Sequence, residues 1–344
     1  MADTRLEIQQ LGEFGLIDRI AEKFSRVHAA SIKTIGDDAA VIAGSEEVTL
    51  VSTDMLLEGV HFDLSYVPLQ HLGYKAVAVN VSDIAAMNGT PKQIVMGLAL
   101  SNRFSVEAID IFYEGVRAAC ISYGVDLVGG DTTSSASGLV ISVTILGTAP
   151  REQVTYRSGA KVNDILCVTG DLGAAYMGLQ VLEREKQVFL TNPDMQPELE
   201  RYEYMVGRQL KPEARMDIVH ELAELKIVPT SMIDVSDGLA SELLHIARQS
   251  EVGVKIFEDK IPIDNTAYET AIEFKIDPIT AALNGGEDYE LLFTIRPSDY
   301  EKLKNHADIH FIGHLHDNAN QHVMISKQGT VVPLKAQGWD HFGR

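Results

Sequence analysis

Residues 73–87 have the sequence GYKAVAVNVSDIAAM, an apolar segment of small residues that carries one acid, Asp83. The spacing of its apolar side chains predicts a helix, and the Asn-Gly-Thr-Pro sequence at 88–91 is typical of a helix stop. Apolar runs at 48–52 and 94–100 predict buried strands on either side. The segment therefore predicts a strand, a helix and a second strand, with an aspartate inside the apolar helix.

The same alternation continues along the chain. Residues 106–123 predict a long amphipathic helix, and residues 125–128 predict a strand that Gly129-Gly130-Asp131 would close. After a further strand from Leu139 the pattern restarts near Pro150. We therefore expect a mixed α/β fold with two domains, 1–150 and 151–344.

Composition excludes several classes of partner. The chain has 49 acidic and 29 basic residues, a formal net charge of −20, which disfavours binding to nucleic acid or to an anionic membrane surface. Its apolar stretches are too short to span a bilayer, and the N-terminus lacks a signal-peptide core. The two cysteines, Cys120 and Cys167, form no CxxC pair and lie in apolar segments. We expect a cytoplasmic protein with reduced thiols.

Aspartates recur beside apolar runs at five places. Any one of them could be a helix cap or a turn former. Four adjoin turns rich in Gly, Ser or Asp, and the fifth is Asp83 in its helix. The four turn segments are Gly36-Asp37-Asp38, Ser52-Thr53-Asp54, Gly129-Gly130-Asp131 and Asp234-Val235-Ser236-Asp237.

Taken together, these acids predict a site for magnesium and phosphate. Carboxylates beside apolar residues are costly without a cation, and no Lys or Arg lies within the motifs. Magnesium favours oxygen ligands from a few carboxylates and from substrate phosphates. The P-loop, the GxGxxG motif, the protein-kinase motifs, HExxH and GxSxG are all absent from the sequence. An enzyme that binds magnesium ions and ATP is the simplest interpretation.

The order of the motifs resembles the thiamine-monophosphate kinase family, within the superfamily of aminoimidazole-ribonucleotide synthetase-like ATP enzymes. The resemblance extends from residue 12 to residue 342, and Asn88 departs from the commoner AAMG form of its motif. The motifs that carry it are, in order, GDDAA, STD, NVSDIAAMNGTP, LVGGDTT, RSGA, DVSDGL, GGEDYEL and GWDHF.

The resemblance assigns roles to individual positions. Those matched to magnesium ligands are Asp37, Ser52, Thr53, Asp54, Asp83, Asp131, Asp234 and Asp237. Those matched to ATP contacts are Tyr113, Gly130, Asp131, Arg157 and Ser236. Those matched to contacts with the thiamine substrate are His61, Glu287 and Trp339. Without the resemblance, His61 could be a turn histidine, Glu287 a turn acid and Trp339 a core anchor.

The resemblance also implies an activity and an assembly. Members transfer the γ-phosphoryl group of ATP to thiamine monophosphate, giving thiamine diphosphate and ADP, with several magnesium ions. The substrate phosphate is an anionic nucleophile, so in-line transfer without a phosphoenzyme is expected. The resemblance further implies a homodimer in which the N-terminal sheets pair into a barrel, and a substrate cleft between the two domains of each chain.

Four alternatives stay open. A sister enzyme of the superfamily, such as the aminoimidazole-ribonucleotide synthetase itself, shares much of the pattern. Selenophosphate synthetase usually has a reactive residue near the N-terminus, whereas the first cysteine here is Cys120, and the hydrogenase-maturation enzyme ends in a cysteine that this chain lacks. A non-catalytic cation-binding module is disfavoured, because the acids are spread over some 200 residues instead of one short loop.

Overall fold

The computed structural model describes residues 28–337 and, before them, Gly15, Ile17, Asp18 and Ala21, so Trp339 lies outside the described residues. The strands are β1 (Ser31–Lys33), β2 (Ala40–Ala43), β3 (Glu47–Leu57), β4 (Thr90–Leu100), β5 (Asp126–Ser134), β6 (Val140–Pro150), β7 (Ile165–Thr169), β8 (Ser231–Asp234), β9 (Gly253–Phe257), β10 (Leu291–Ile295), β11 (Ile309–His316), β12 (His322–Ile325) and β13 (Val331–Pro333). The helices are α1 (Leu69–Ala86), α2 (Val106–Tyr123), α3 (Ala174–Thr191), α4 (Glu203–Leu210), α5 (Met216–Glu224), α6 (Leu239–Ser250), α7 (Asn265–Glu273), α8 (Pro278–Asn284) and α9 (Tyr300–Leu303).

The first half of the chain forms a six-stranded sheet in the order β1-β2-β3-β6-β4-β5. Neighbouring strands are antiparallel except β4 and β5, which are parallel. The prediction that Thr53-Asp54 and Gly129–Asp131 close their strands is wrong. β3 continues to Leu57 because it pairs with β6 along its whole length, and β5 continues to Ser134 beside β4. Backbone pairing with a long neighbour thus outweighs the local turn tendency of these residues.

Helix α1 is the element that connects the two halves of the molecule. It packs against β3, β4 and β6 of the first sheet and also contacts β8 of the second. Most of its residues are buried, which explains its small, apolar sequence. Helix α2 packs on α1 and ends as predicted at Gly124, whose φ of 65° is a left-handed conformation that glycine tolerates.

The second half forms a seven-stranded sheet in the order β13-β12-β9-β11-β7-β10-β8, with only β12 and β9 parallel. Helix α6 follows β8 and packs on this sheet. A continuous apolar core includes residues of both halves, among them Ile84 of α1 and Met232 of β8. The mixed α/β architecture predicted from the sequence is confirmed.

Both cysteines are free thiols, and Cys167 is buried. None of the helices in the described part of the chain combines the length and the hydropathy that a membrane-spanning segment needs.

Candidate active site

A cleft of about 1710 Å³ is lined by residues from both halves of the chain. The first half contributes the loop before β2, strand β3 and helix α1. The second half contributes Arg157, the segment between β8 and α6, and the loop before β10. Seven of the predicted metal ligands line this cleft. They are Asp37, Ser52, Thr53, Asp54, Asp83, Asp234 and Asp237.

Three carboxylates converge at the centre of this group. Asp38, Asp83 and Asp234 each place one carboxylate oxygen within 4.8 Å of the others. Asp38 precedes β2, Asp83 is in the last turn of α1, and Asp234 ends β8. Because these elements are far apart in sequence, only the packing of α1 between the two sheets brings the three acids together.

Two serine hydroxyls orient the acids. Ser52 Oγ, on β3, donates a hydrogen bond to Asp83 Oδ2. Ser82 Oγ donates to Asp234 Oδ2 at 2.7 Å, across the contact between α1 and β8. Each bond uses one carboxylate oxygen and fixes the direction of the other, as is usual for carboxylates that hold metal ions.

The electrostatics of the cluster disfavour three free carboxylates. Burial, together with repulsion from Asp38, raises the pKa of Asp234 to about 8 and that of Asp54 to about 6. Burial and the neighbouring Asp54 raise the pKa of Asp83 well above its usual range. Protons therefore compete for positions that a cation would otherwise occupy.

Arg157 and Lys33 supply positive charge at one side of the cluster. Arg157 donates from Nε to Asp38 Oδ2 at 2.9 Å and from Nη2 to Asp38 Oδ1 at 2.8 Å. The Arg157 backbone N–H donates to Asp37 Oδ1 at 3.1 Å, and Lys33 Nζ lies 3.1 Å from Asp37 Oδ2. Burial and the repulsion of Asp38 nevertheless raise the pKa of Asp37.

The donor set fits hard divalent cations. It consists of carboxylate oxygens with hydroxyls beside them, in a cleft open to a ligand, and it contains no thiolate. Magnesium takes this kind of site and completes its shell with water and phosphate oxygens. Asp38, Asp83 and Asp234 are the residues whose carboxylates converge closely enough to hold such an ion together, and Asp54 lines the same cleft.

The segment after β8 presents Ser236 and Asp237 to the cleft. Glu242 Oε1, in the first turn of α6, accepts hydrogen bonds from the backbone N–H groups of Ser236, at 3.1 Å, and Asp237, at 2.8 Å. Glu242 is 2% exposed, and its Oε2 has no hydrogen-bond partner among the residues that the structure describes. Burial and the charge of Asp237 raise the pKa of Glu242 well above its usual range.

Two predicted substrate contacts also line the cleft. His61 Nδ1 accepts a hydrogen bond from the Leu57 backbone N–H at 3.0 Å, which orients the ring at the end of β3. The Glu287 backbone N–H donates to Ser236 O at 2.7 Å, so the loop before β10 rests directly on the segment after β8. Glu287 has a left-handed backbone with φ 61°, which an ordinary residue adopts only under constraint.

Four predicted residues are not brought to the cluster within one chain. The hydroxyl of Thr53 bonds Val143 O at 2.9 Å, because alternation along β3 turns Thr53 away from its neighbours Ser52 and Asp54. Tyr113, on α2, and Gly130 and Asp131, on β5, do not line the cleft. Three strand spacings separate β5 from β3, about 14 Å. The fifth unplaced residue, Trp339, lies outside the described residues.

Sequence reasoning missed several residues of the cleft, among them Asp38, Glu242 and Lys75. Asp38 had a signal, since it adjoins Asp37, but the sequence did not indicate that Asp38 is the one that converges with Asp83. Glu242 had a weaker signal, because acids are favoured in the first turn of a helix and Glu242 follows Asp237 by five residues. Lys75 had none, because a single lysine in an apolar helix has no local pattern that would mark it.

Comparison with known proteins identifies the class to which this fold and site belong. The N-terminal domain of AIR synthase related proteins matches residues 36–149, and their C-terminal domain matches residues 161–324. The chain is thus an AIR synthase related protein, with the acidic cleft lined from both matched regions.

Full-length relatives narrow this class. The thiamine-monophosphate kinase of Bacillus subtilis is 37% identical over 96% of this chain and 100% of that protein, and that of Aquifex aeolicus is 36% identical over 98% and 100%. The solved structure of AaThiL complexed with AMPPCP and TMP superposes with a TM-score of 0.83 at 33% identity, covering 98% of this chain and 100% of that one. The chain belongs to the thiamine-monophosphate kinase family of enzymes.

Proposed function

We propose that the chain transfers the γ-phosphoryl group of ATP to thiamine monophosphate, giving thiamine diphosphate and ADP, as a step of thiamine diphosphate biosynthesis. The convergence of Asp38, Asp83 and Asp234 in a cleft lined from both halves carries the proposal. Two phosphorylated substrates must meet there, and both are polyanions. The full-length relatives are thiamine-monophosphate kinases, which supports thiamine monophosphate as the acceptor.

The residues of the cleft would act by holding metal ions and by orienting the carboxylates that bind them. Asp54, Asp83 and Asp234 would hold magnesium ions, which when bound supply charge neutralisation between the two phosphate groups. Ser52 and Ser82 fix the directions of the carboxylates. The attacking group is an oxygen of the acceptor phosphate, whose second pKa is about 6, so it is anionic at neutral pH and needs no general base.

The reaction is a direct in-line displacement. The γ-phosphorus to acceptor-oxygen bond forms as the γ-phosphorus to ADP-oxygen bond breaks, and the electron pair leaves with ADP. No serine, cysteine or histidine of the chain needs to carry the phosphoryl group. Inversion of configuration at a chiral γ-phosphorus is the expected stereochemical result, whereas net retention would contradict direct transfer.

We also infer a homodimer that completes the ATP site. All nine residues of the edge strand β5 are exposed in the single chain, including the apolar Leu127 and Val128. A second copy paired at this edge would cover them, in line with the expected barrel of N-terminal sheets. Such pairing would let Gly130 and Asp131 of β5, with Tyr113, serve the cleft of the other copy.

We place the boundary between two domains at about residue 150. The N-terminal domain would hold most of the magnesium ligands, and the C-terminal domain would complete the cleft for ATP and the acceptor.

We also propose a cytoplasmic location, which the two free thiols and the use of ATP as co-substrate support.

The experiment that tests the proposed acceptor is ADP release in a coupled assay with three candidates. Thiamine monophosphate should support turnover, while thiamine and formylglycinamidine ribonucleotide should not. Turnover with the ribonucleotide alone would assign the chain to the sister synthetase.

The Asp54→Asn variant should lose activity by about a hundredfold or more, because it removes charge stabilisation at the transferred group. The Asp194→Asn variant, at an exposed acid outside the cleft, is its matched control.

A further inference from the structure

The carboxylate of Glu287 is held by two side chains from different elements. Lys75 Nζ, on α1, donates to Glu287 Oε2 at 2.7 Å. Gln209 Nε2, on α4, donates to the same oxygen, also at 2.7 Å. Lys75 Nζ donates in addition to the Gln209 carbonyl oxygen at 3.1 Å, so the two donors fix each other.

This arrangement gives the carboxylate a direction. The side chain of Lys75 is 4% exposed, whereas that of Glu287 is 28% exposed and lines the cleft. Both buried donors bind Oε2, so Oε1 is the oxygen that remains for a ligand in the cleft. The left-handed backbone of Glu287 and its bond to Ser236 O hold the base of the side chain as well.

A carboxylate fixed in this way selects for a particular chemistry. It can only accept hydrogen bonds, so its ligand must present an N–H or O–H donor or a positive charge. Because the side chain is already ordered, little conformational entropy is lost when the ligand binds. Tyr66 and Glu183 line the same cleft, but Lys186 Nζ already lies 5.7 Å from the centroid of the Tyr66 ring and 3.9 Å from Glu183 Oε2, so this pair adds no uncompensated negative charge. Because Lys75 balances the charge of Glu287, the remaining Oε1 selects mainly for a hydrogen-bond donor, such as the N–H group of an amine.

We infer that Lys75 and Gln209 are positioning residues, which hold Glu287 for an amine-bearing acceptor and thereby set the selectivity for the acceptor. The inference rests on the proposed function, because it needs an acceptor of that class. A purely structural role for Lys75, as a link between α1 and α4, predicts a different outcome. Loss of that link would weaken the whole cleft and would affect ATP and acceptor alike.

The test is the steady-state kinetics of Lys75→Met and Gln209→Met, with thiamine monophosphate and ATP varied separately. The KM for thiamine monophosphate should rise about tenfold in Lys75→Met, the effect of losing one charge-assisted hydrogen bond. It should also rise, by a smaller factor, in Gln209→Met, while the KM for ATP and kcat stay unchanged in both. The Lys211→Met variant, a lysine at the end of α4 that does not line the cleft, should change neither KM.

A double-mutant cycle separates positioning from direct contact. In a Glu287→Ala background, Lys75→Met should cause no further rise in the KM for thiamine monophosphate. A full additional effect in that background, or equal rises in both KM values, would overturn the inference. If Lys75→Met does not fold, Gln209→Met and its cycle with Glu287→Ala decide by the same criteria. Wild-type turnover with thiamine monophosphate is measured first. If there is none, the proposed function and the inference are overturned together. If the wild type turns over normally and the variants keep its KM for thiamine monophosphate, the inference alone is overturned.

Discussion

Arg157 holds Asp38 by two hydrogen bonds, and Asp38 is one of the three carboxylates that converge in the cleft. Arg157, whose position is matched to an ATP contact, therefore neutralises a carboxylate of the proposed metal site. Arg157 and a bound cation offer alternative partners to Asp38. If Arg157 is released from Asp38, it becomes available to bind a phosphate, because its planar guanidinium group can donate two parallel hydrogen bonds.

The Arg157→Met variant should therefore be less stable than the wild type in the absence of metal. The side chain of Asp38 is fully buried, and removing its partner leaves an unpaired charge, at a cost of about 3 kcal/mol. Urea unfolding in EDTA measures this loss, and magnesium should restore more stability to the variant than it adds to the wild type. Equal stability of the two proteins in EDTA, with an unchanged KM for ATP, would contradict the role of the pair.

The stability of the metal-free protein should fall as the pH rises from about 4 to 8. The pKa of Asp54 is raised to about 6 and that of Asp234 to about 8, whereas an unfolded aspartate titrates near 4. The folded state thus binds more protons across this range, and its advantage is lost as these groups ionise. Thermal unfolding in EDTA at a series of pH values measures the slope.

Magnesium should reverse this dependence, because a bound cation replaces the protons. The increase in Tm on adding magnesium should therefore be larger at pH 8 than at pH 5. Asp288, whose pKa burial raises to about 7, contributes to the slope in EDTA but lies outside the cluster and the lining of the cleft. The difference between magnesium and EDTA removes its contribution. A magnesium effect that does not vary with pH would count against the carboxylate cluster as the metal site.

The Gly286→Ala variant should lose activity because a methyl group there has no room. Gly286 has φ 72°, and an added Cβ would lie 2.5 Å from the carbonyl oxygen of Ser236. The loop before β10 and the segment that presents Ser236 and Asp237 would have to move apart. A displacement of this size in an active site is expected to reduce kcat/KM by about a hundredfold.

The matched control for that variant is Gly207→Ala, on α4, where nothing lies within 4 Å of an added Cβ. Alanine should raise helix stability there by up to about 1 kcal/mol and leave kcat/KM unchanged. Similar activity losses in both glycine variants would show that the contact between the two loops is not the cause.

The Val128→Lys variant should disrupt the proposed homodimer. Val128 is 59% exposed on the edge strand β5, and a lysine on an edge strand opposes pairing with another sheet. Light scattering should detect monomers, and activity should fall if a second copy supplies Asp131 to the cleft. The control is Val331→Lys, on the edge strand β13 of the other sheet, at 55% exposure. A Val128→Lys protein that remains dimeric and fully active would refute this interface.

The parts of the site that the sequence predicted are those with a local chemical signal. Asp83 in an apolar helix and Asp234 after an apolar strand are costly unless they have a function, and the structure brings both together. Helix α2 was predicted at its observed bounds, because its apolar periodicity and Gly124 are local features.

The parts that could not be predicted depend on contacts distant in sequence. Arg157 and Asp38 are 119 positions apart, and Lys75 and Glu287 are 212 positions apart. Nothing local to any of these residues indicates its partner, since each contact forms only when segments from the two halves of the chain pack together. The continuation of β3 past Asp54 has the same origin, because it follows from the long pairing with β6.

We propose that this cleft transfers a phosphoryl group from ATP to thiamine monophosphate when its aspartates hold magnesium. Phosphorus-31 NMR of the wild-type protein with both substrates tests it most directly, since it observes every phosphate at once. Thiamine diphosphate and ADP should appear in equal amounts in magnesium, and neither should form in EDTA. Release of orthophosphate with thiamine monophosphate unchanged, or product formation in EDTA, would contradict the claim.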